Sequence, residues 1–209
     1  MEEVLDVYTQ SYDEKRVLVC MDETSKQQIK ETKTPIPMKP GKKQAYDHEY
    51  ERNGVSNLFM FFSPTKKWRQ VKVTDQRTKL DWAIAMKELS DTHLKAAEKI
   101  VVVLDNLNTH NGSSFYKAFE PQEAKRLCDR FEFHYTPKHG SWLNMAETEF
   151  AALAKQCLNR RIPNQKTLKK EVSAWQKQRN RNASTIVWRF TTNDARIKLK
   201  KLYPTFNNG

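Results

Sequence analysis

Apolar residues fall along the chain in two kinds of spacing, and these separate strands from helices. Val17 to Met21 and Ile100 to Leu104 are unbroken apolar runs, the pattern of strands buried on both faces of an α/β sheet. The first strand is expected to span Arg16–Met21, with a separate extended segment, Gln27 to Lys33, pairing beside it. Asn57 to Phe62 is a third apolar run. After the turn-like Ser63-Pro64-Thr65-Lys66-Lys67, the alternation at Trp68 to Val73 completes a predicted antiparallel hairpin within residues 49–74. Phe131 to Tyr135 alternates as a fifth strand and ends at Thr136-Pro137. Helical stripes lie between and after these strands. Thr78-x-x-Asp81 opens one as a capping box, followed by Trp82, Ile84, Ala85, Leu89 and Leu94. Another helical stretch breaks at Pro121, and a helix is expected from Asn144 to Leu158. Leu168, Val172 and Trp175 mark the buried side of an amphipathic helix. Pro35, Pro37, Pro40 and Gly41 exclude helix or central strand and predict an irregular basic loop.

These elements describe an α/β protein with a mixed five-stranded sheet flanked by helices. Length and strand order suit a ribonuclease-H-like fold, although order alone does not select it. The expected layout is a connecting segment (1–15), a catalytic domain (16–160) and a basic helical extension packed on it (161–209).

Charge narrows the function. The chain of 209 residues carries a net charge of +12, and between Asn159 and Lys201 thirteen basic residues face only Glu171 and Asp194. A basic surface concentrated in this way is the footprint of a polyanion binder, most often of nucleic acid, or else a solvated helix face. Lys42, Lys43, Lys138, Arg160, Arg161, Lys166, Lys169 and Lys170 are the candidate DNA contacts. No apolar run approaches the roughly 20 residues of a membrane helix, and Met1-Glu2-Glu3-Val4 lacks the features of a signal peptide. Three widely spaced cysteines, Cys20, Cys128 and Cys157, suit a reduced cytoplasmic protein.

Three acids stand out against this basic background. Asp22 and Asp105 each follow a buried apolar strand and lie 83 positions apart, and Glu147 lies 42 further on, in a helix. Carboxylates without histidine or cysteine partners suit Mg²⁺ or Mn²⁺. Two such ions serve phosphodiester cleavage or exchange. Each acid also has a structural reading: an aspartate after a strand is a common turn former, and Asn144-x-x-Glu147 matches a capping box. On helical spacing Glu147 aligns with Ala151, Ala154 and Leu158, expected to face the sheet, while Glu149 aligns with Gln156 and Arg160 on an outer face. Glu23 should point opposite to Asp22. Asp75, after another strand, is the reserve acid.

Asp105-Asn106 with His110, and the block Pro137-Lys138-His139-Gly140-Ser141-Trp142-Leu143-Asn144-Met145-Ala146-Glu147, resemble the second and third acidic motifs of the mariner-related transposases, in particular their bacterial insertion-sequence branch. Met21-Asp22-Glu23 is similar to the first acidic motif, and Arg189 to Arg196 extends the likeness toward the end of the chain. The resemblance implies a ribonuclease-H-like catalytic core and two Mg²⁺ ions, for which Mn²⁺ substitutes. The ions would be held by a D-D-E triad of Asp22, Asp105 and Glu147, with Asp22 bridging both and each of the other two binding one. Asn106, His110 and His139 become supporting or DNA-contacting residues, and Trp142 either stacks on a base or packs under the helix. The implied reaction is hydrolysis at transposon ends followed by attack of the freed 3′-hydroxyl on target DNA. A homodimer on double-stranded DNA, in the bacterial cytoplasm at the nucleoid, would perform it. Family members carry an N-terminal helix-turn-helix region, whereas only some fifteen residues precede the first strand here, so end recognition is expected from a missing domain or a separate subunit. A non-catalytic DNA-binding remnant or regulator, and a different two-metal DNA endonuclease, are the alternatives.

Overall fold

The computed structural model describes residues 1–203; positions 204–209 of the expected basic extension lie outside the described residues. Its strands are β1 (Arg16–Glu31), β2 (Tyr50–Ser63), β3 (Trp68–Thr74), β4 (Lys99–Leu104) and β5 (Phe131–Tyr135). They form one sheet in the order β3-β2-β1-β4-β5. β1 pairs antiparallel with β2, and β2 with β3. β4 runs parallel to both β1 and β5.

Alternation divides the core between the two faces. Leu18, Cys20, Val101 and Val103 belong to the face covered by α1 (Glu2–Tyr8), α5 (Met145–Leu153) and α6 (Gln165–Arg181). Val17, Val19, Met21, Ile100, Val102 and Leu104 belong to the face covered by α2 (Lys79–Glu88), α3 (Ser113–Ala118) and α4 (Pro121–Arg130). Since side chains on neighbouring strand positions point to opposite faces, an unbroken apolar run is what a strand covered on both sides requires. The capping box at Thr78 and Asp81 forms reciprocally, and Leu168, Val172 and Trp175 are buried beneath α6. The first residues are more than a connection, because α1 buries Val4, Leu5 and Val7. It is tied to α7 (Thr192–Lys198) by Thr192 and Arg196, which bond Asp6 and Glu2.

β1 departs from the expected pattern. It does not stop at Met21 to be followed by a separate strand, but continues to Glu31 against β2, with a register shift between Gln27 and Ile29. Its pairing with β4 ends at Cys20 and Val103, and the second half continues as a two-stranded arm against which the segment after α5 packs. Ile29 N–H donates to the Ile162 carbonyl at 2.8 Å and Lys26 Nζ to the Leu158 carbonyl at 2.9 Å, so polar groups of this half find partners while remaining in a strand. At the tip, Ile36 pairs with Ala45 and Lys39 with Lys42, and Gly41 supplies the positive φ of 75° that the reversal needs. No helix among the described residues is long and apolar enough to cross a membrane.

Candidate active site

The parallel register of β1 and β4 ends with Cys20 opposite Val103. Asp22 and Asp105 each follow two positions beyond that last pair, near enough for the Asp105 charge to act on the Asp22 carboxyl. Asp22 continues the alternation of Leu18 and Cys20 toward the face covered by α5, and Asp105 directly follows β4 with its carboxylate against His110. Glu147 arrives through the cap of that helix. Asn144 Oδ1 accepts from the Ala146 N–H at 3.1 Å, while Asn144 Nδ2 donates to the Met21 carbonyl at 2.8 Å. One side chain therefore starts the helix and ties it to the residue before Asp22. The expected reciprocal capping box does not form, and among the described residues the Glu147 carboxylate makes no hydrogen bond.

The electrostatics register this convergence. Burial, with repulsion from Asp105 and Glu147, pushes the Asp22 carboxyl up to about 7, although its Oδ1 accepts the Glu23 N–H at 2.8 Å. His110 is fully buried, stacks on Trp82 and lies 2.5 Å from Asp105 through Nδ1. Its Nε2 is 3.4 Å from Glu23, which also pairs with Arg77. Burial opposes the imidazolium, but the bonds to Asp105 and Glu23 outweigh it and raise His110 to about 9. Among the described residues no three His, Cys, Asp or Glu side chains form a ready-made metal cage. The donor set nevertheless fits hard cations. It is all carboxylate, Asp105 keeps 34 % of its side chain exposed, and the crowding that raises Asp22 is what a cation relieves.

Other expected site residues separate into groups. Asn106, Lys138 and His139 are exposed on the loops after β4 and β5, with His139 at φ 64°. Lys42 and Lys43 are exposed on the arm, and Lys166, Lys169 and Lys170 on α6. Arg160 pairs with Glu171 at the surface. Arg161 is a strut rather than a free phosphate contact, reaching Glu31 at 2.5 Å and the Asp47 carbonyl at 2.8 Å. Asp75 accepts from Gln165 at the start of α6.

The helical phase of α5 corrects a further expectation. Glu149 is 1 % exposed rather than on an outer face; Arg69 Nε lies 2.9 Å from it and Arg179 bonds both its oxygens at 2.7 and 3.0 Å. Ala151 and Ala154, expected against the sheet, are exposed. With Leu158 and Thr24 to Lys26 of β1 they line a groove of about 650 Å³. Glu147 lies one turn before Ala151 on the same helical line and is half-buried.

A family model described as DDE superfamily endonuclease matches residues 17–169. The chain belongs to this family. No curated protein sequence matches it. Among solved structures, the Mos1 strand transfer complex is similar at a TM-score of 0.57 and 13% identity, over 84% of this chain and 51% of that one. The Mos1 transposase paired-end complex with left transposon end gives 0.58 and 12%, over 87% and 55%. The Mos1 mariner paired end complex with Mn gives 0.52 and 13%, over 87% and 55%. The chain thus spans about half the length of these transposase chains. The shared part is their ribonuclease-H-like fold.

Proposed function

We propose that this endonuclease domain is the catalytic part of a DNA transposase, which cuts phosphodiester bonds at the ends of an element and joins the freed 3′-hydroxyl to target DNA. The observation that supports the reading is the mutual proximity of the three acids, since Asp105 and Glu147 both raise the Asp22 carboxyl, with the helix of Glu147 tied to Met21 by the Asn144 clasp. Asp22, Asp105 and Glu147 would hold two Mg²⁺ or Mn²⁺ ions, with Asp22 shared between them. Such ions activate a water or hydroxyl and stabilise the leaving oxygen in an in-line displacement. The chain's own groups prepare the site. His110 fixes the orientation of Asp105 through Nδ1, and its charge offsets part of the local negative potential. The groove along β1 and α5 gives a DNA strand a path to Glu147.

Exposed lysines supply the phosphate contacts. Lys166, Lys169 and Lys170 on α6, Lys42 and Lys43 at the tip of the arm and Lys138 after β5, all exposed, would contact the DNA backbone. In this reading the acting form is a dimer in the bacterial cytoplasm, and a helix-turn-helix domain or subunit recognises the ends.

The test is cleavage of a labelled duplex carrying the element's terminal repeats, with Mg²⁺ or Mn²⁺, by the natural chain and by Asp105→Asn. Metal-dependent nicking lost in the variant supports the reading. Binding by both without cleavage favours a DNA-binding remnant, and cleavage of arbitrary or branched DNA without strand transfer favours a different endonuclease.

A further inference from the structure

Two residues beyond Glu147, α5 carries a second acid that the proposed chemistry leaves unused. Glu149 is 1 % exposed, and a carboxylate so buried needs compensation. It comes from two sides. Arg179 of α6 donates through Nε and Nη2 to the two carboxylate oxygens at 2.7 and 3.0 Å, and Arg69 Nε of β3 lies 2.9 Å from Oε1. Both arginines are themselves held. Arg69 is fully buried, donates through Nη1 to Asn180 Oδ1 at 3.1 Å and through Nη2 to the Ser184 carbonyl, and lies over the Phe62 ring at 5.3 Å. Arg179 lies over the Trp175 ring at 5.3 Å.

The place of this grip in the sheet gives it a direction. Strand pairing runs from Arg69 to Phe62, from Phe62 to Cys20 and from Cys20 to Val103. Asp22 and Asp105 each follow two residues beyond that row. α5 is therefore fixed to the acid-bearing part of the sheet at two points, through Asn144 to the Met21 carbonyl and through Glu149 to Arg69. Glu147 lies between them. Residues two apart in a helix point about 200° apart, so Glu149 holds the back of the turn whose front carries Glu147. A roll of about 10° moves a carboxylate roughly 5–6 Å from the helix axis by about 1 Å. A preorganised site tolerates about 0.5 Å, and Mg²⁺ demands near-ideal octahedral geometry. A buried ion cluster adds little net stability over apolar groups of similar volume, but its bidentate fork fixes one orientation.

Resting on the DNA-cleaving reading above, we propose that Glu149, gripped by Arg69 and Arg179, is a positioning residue that sets the roll of α5 and so presents the Glu147 carboxylate to its divalent cation. Glu149 touches neither DNA nor cation and acts through Glu147 alone. The arginines bring the constraint from β3 and α6, so the packing of α6 on the sheet becomes part of the geometry of the site.

The test uses the full chain without DNA and follows Mn²⁺ binding by electron paramagnetic resonance, so that no cleavage is scored. The natural chain is compared with Glu147→Gln, Glu149→Gln and the double variant, each first checked for a cooperative thermal melt in EDTA. Removing a group that orients a metal ligand costs about 10- to 100-fold in metal affinity. Glu149→Gln should therefore weaken Mn²⁺ binding at least about tenfold, and Glu147→Gln should weaken the same site. In the double variant the loss due to Glu149 should vanish, since nothing is left for it to position. Arg179→Gln, in which Arg69 still meets the Glu149 charge, should show the same pattern and takes the place of Glu149→Gln if that variant does not melt cooperatively. Unchanged Mn²⁺ affinity in the folded variant overturns the proposal, as do losses that add in the double variant. If Glu147→Gln binds Mn²⁺ like the natural chain, the catalytic reading itself fails and the role of Glu149 falls with it.

Discussion

Asp22→Asn should make the protein more stable while removing its activity. In the wild-type fold the Asp22 carboxyl is pushed from an ordinary 3.8 up to about 7 by burial and by repulsion from Asp105 and Glu147. The unfolded chain has neither influence. The native state therefore binds this proton more tightly, and stability falls as pH rises from about 4 to 7, with the full cost above 7. The displacement corresponds to about 4 kcal/mol as a ceiling. Asp22 retains some contact with water, and relaxation around it reduces the gain to about 2 kcal/mol. For a domain of this size that is roughly 4–8 °C in Tm. Asparagine keeps the shape and an oxygen to accept the Glu23 N–H but carries no charge. Thermal melts in EDTA at pH 8 and pH 4 are the assay. The variant should melt above wild type at pH 8, and the gap should shrink to below about 1 kcal/mol at pH 4. A variant that melts at or below wild type at pH 8, or a gap equal at both pH values, refutes the argument.

Glu149→Ala leaves Arg69 and Arg179 facing each other without their shared carboxylate, and it should cost about 3–5 kcal/mol in urea denaturation; a loss under about 1 kcal/mol would remove the ion cluster from the core's energetics. His110 is raised to about 9 from an ordinary 6.5, so its contribution is full below pH 6.5 and is lost as pH rises through 9. His110→Gln should flatten the unfolding free energy across that window, and identical pH slopes for variant and wild type would contradict the ion pairs with Asp105 and Glu23. Replacing Lys166, Lys169 and Lys170 together by alanine should reduce the slope of log affinity against log salt by about 2.7 if all three touch phosphate. An unchanged slope in filter binding would take α6 off the DNA surface.

The unbroken apolar runs made the central strands legible, because a strand covered on both faces has few other compositions. Asp22 and Asp105 stood out because each directly follows a buried apolar run, and Glu147 because of the motif Pro137 to Glu147 around it. The register of β1 on β4 was not legible: it joins positions as distant as Cys20 and Val103, and no local pattern encodes it. The phase of α5 was misread because Ala151 and Ala154 count as apolar yet lie exposed, while the buried line of Met145, Ala146, Glu149 and Leu153 contains an acid. A signal for that acid was present. Arg69 shares an inward face with Val71 on β3, and a guanidinium at a core position calls for a buried carboxylate. Glu23 did point away from Asp22, but its route back to the site through His110 depends on a loop conformation that residue spacing does not carry. The arm was missed because its length comes from pairing with β2 rather than from its own polar sequence.

The parallel pairing of β1 with β4, which ends just short of Asp22 and Asp105, also governs when the site comes into being. Parallel neighbours so distant in sequence pay their loop-closure entropy before any contact repays it, so such pairings form late. The Asn144 clasp then requires β1 to be seated before α5 can dock on Met21. A growing chain cannot assemble the three carboxylates until residues well past Glu147, including the α6 helix that holds Glu149, have emerged. On refolding, metal-dependent nicking should appear after the far-ultraviolet signal of the sheet, and simultaneous recovery would show that the register forms early. On the proposed reading, the topology would tie the assembly of the cutting centre to completion of the sheet and its helices.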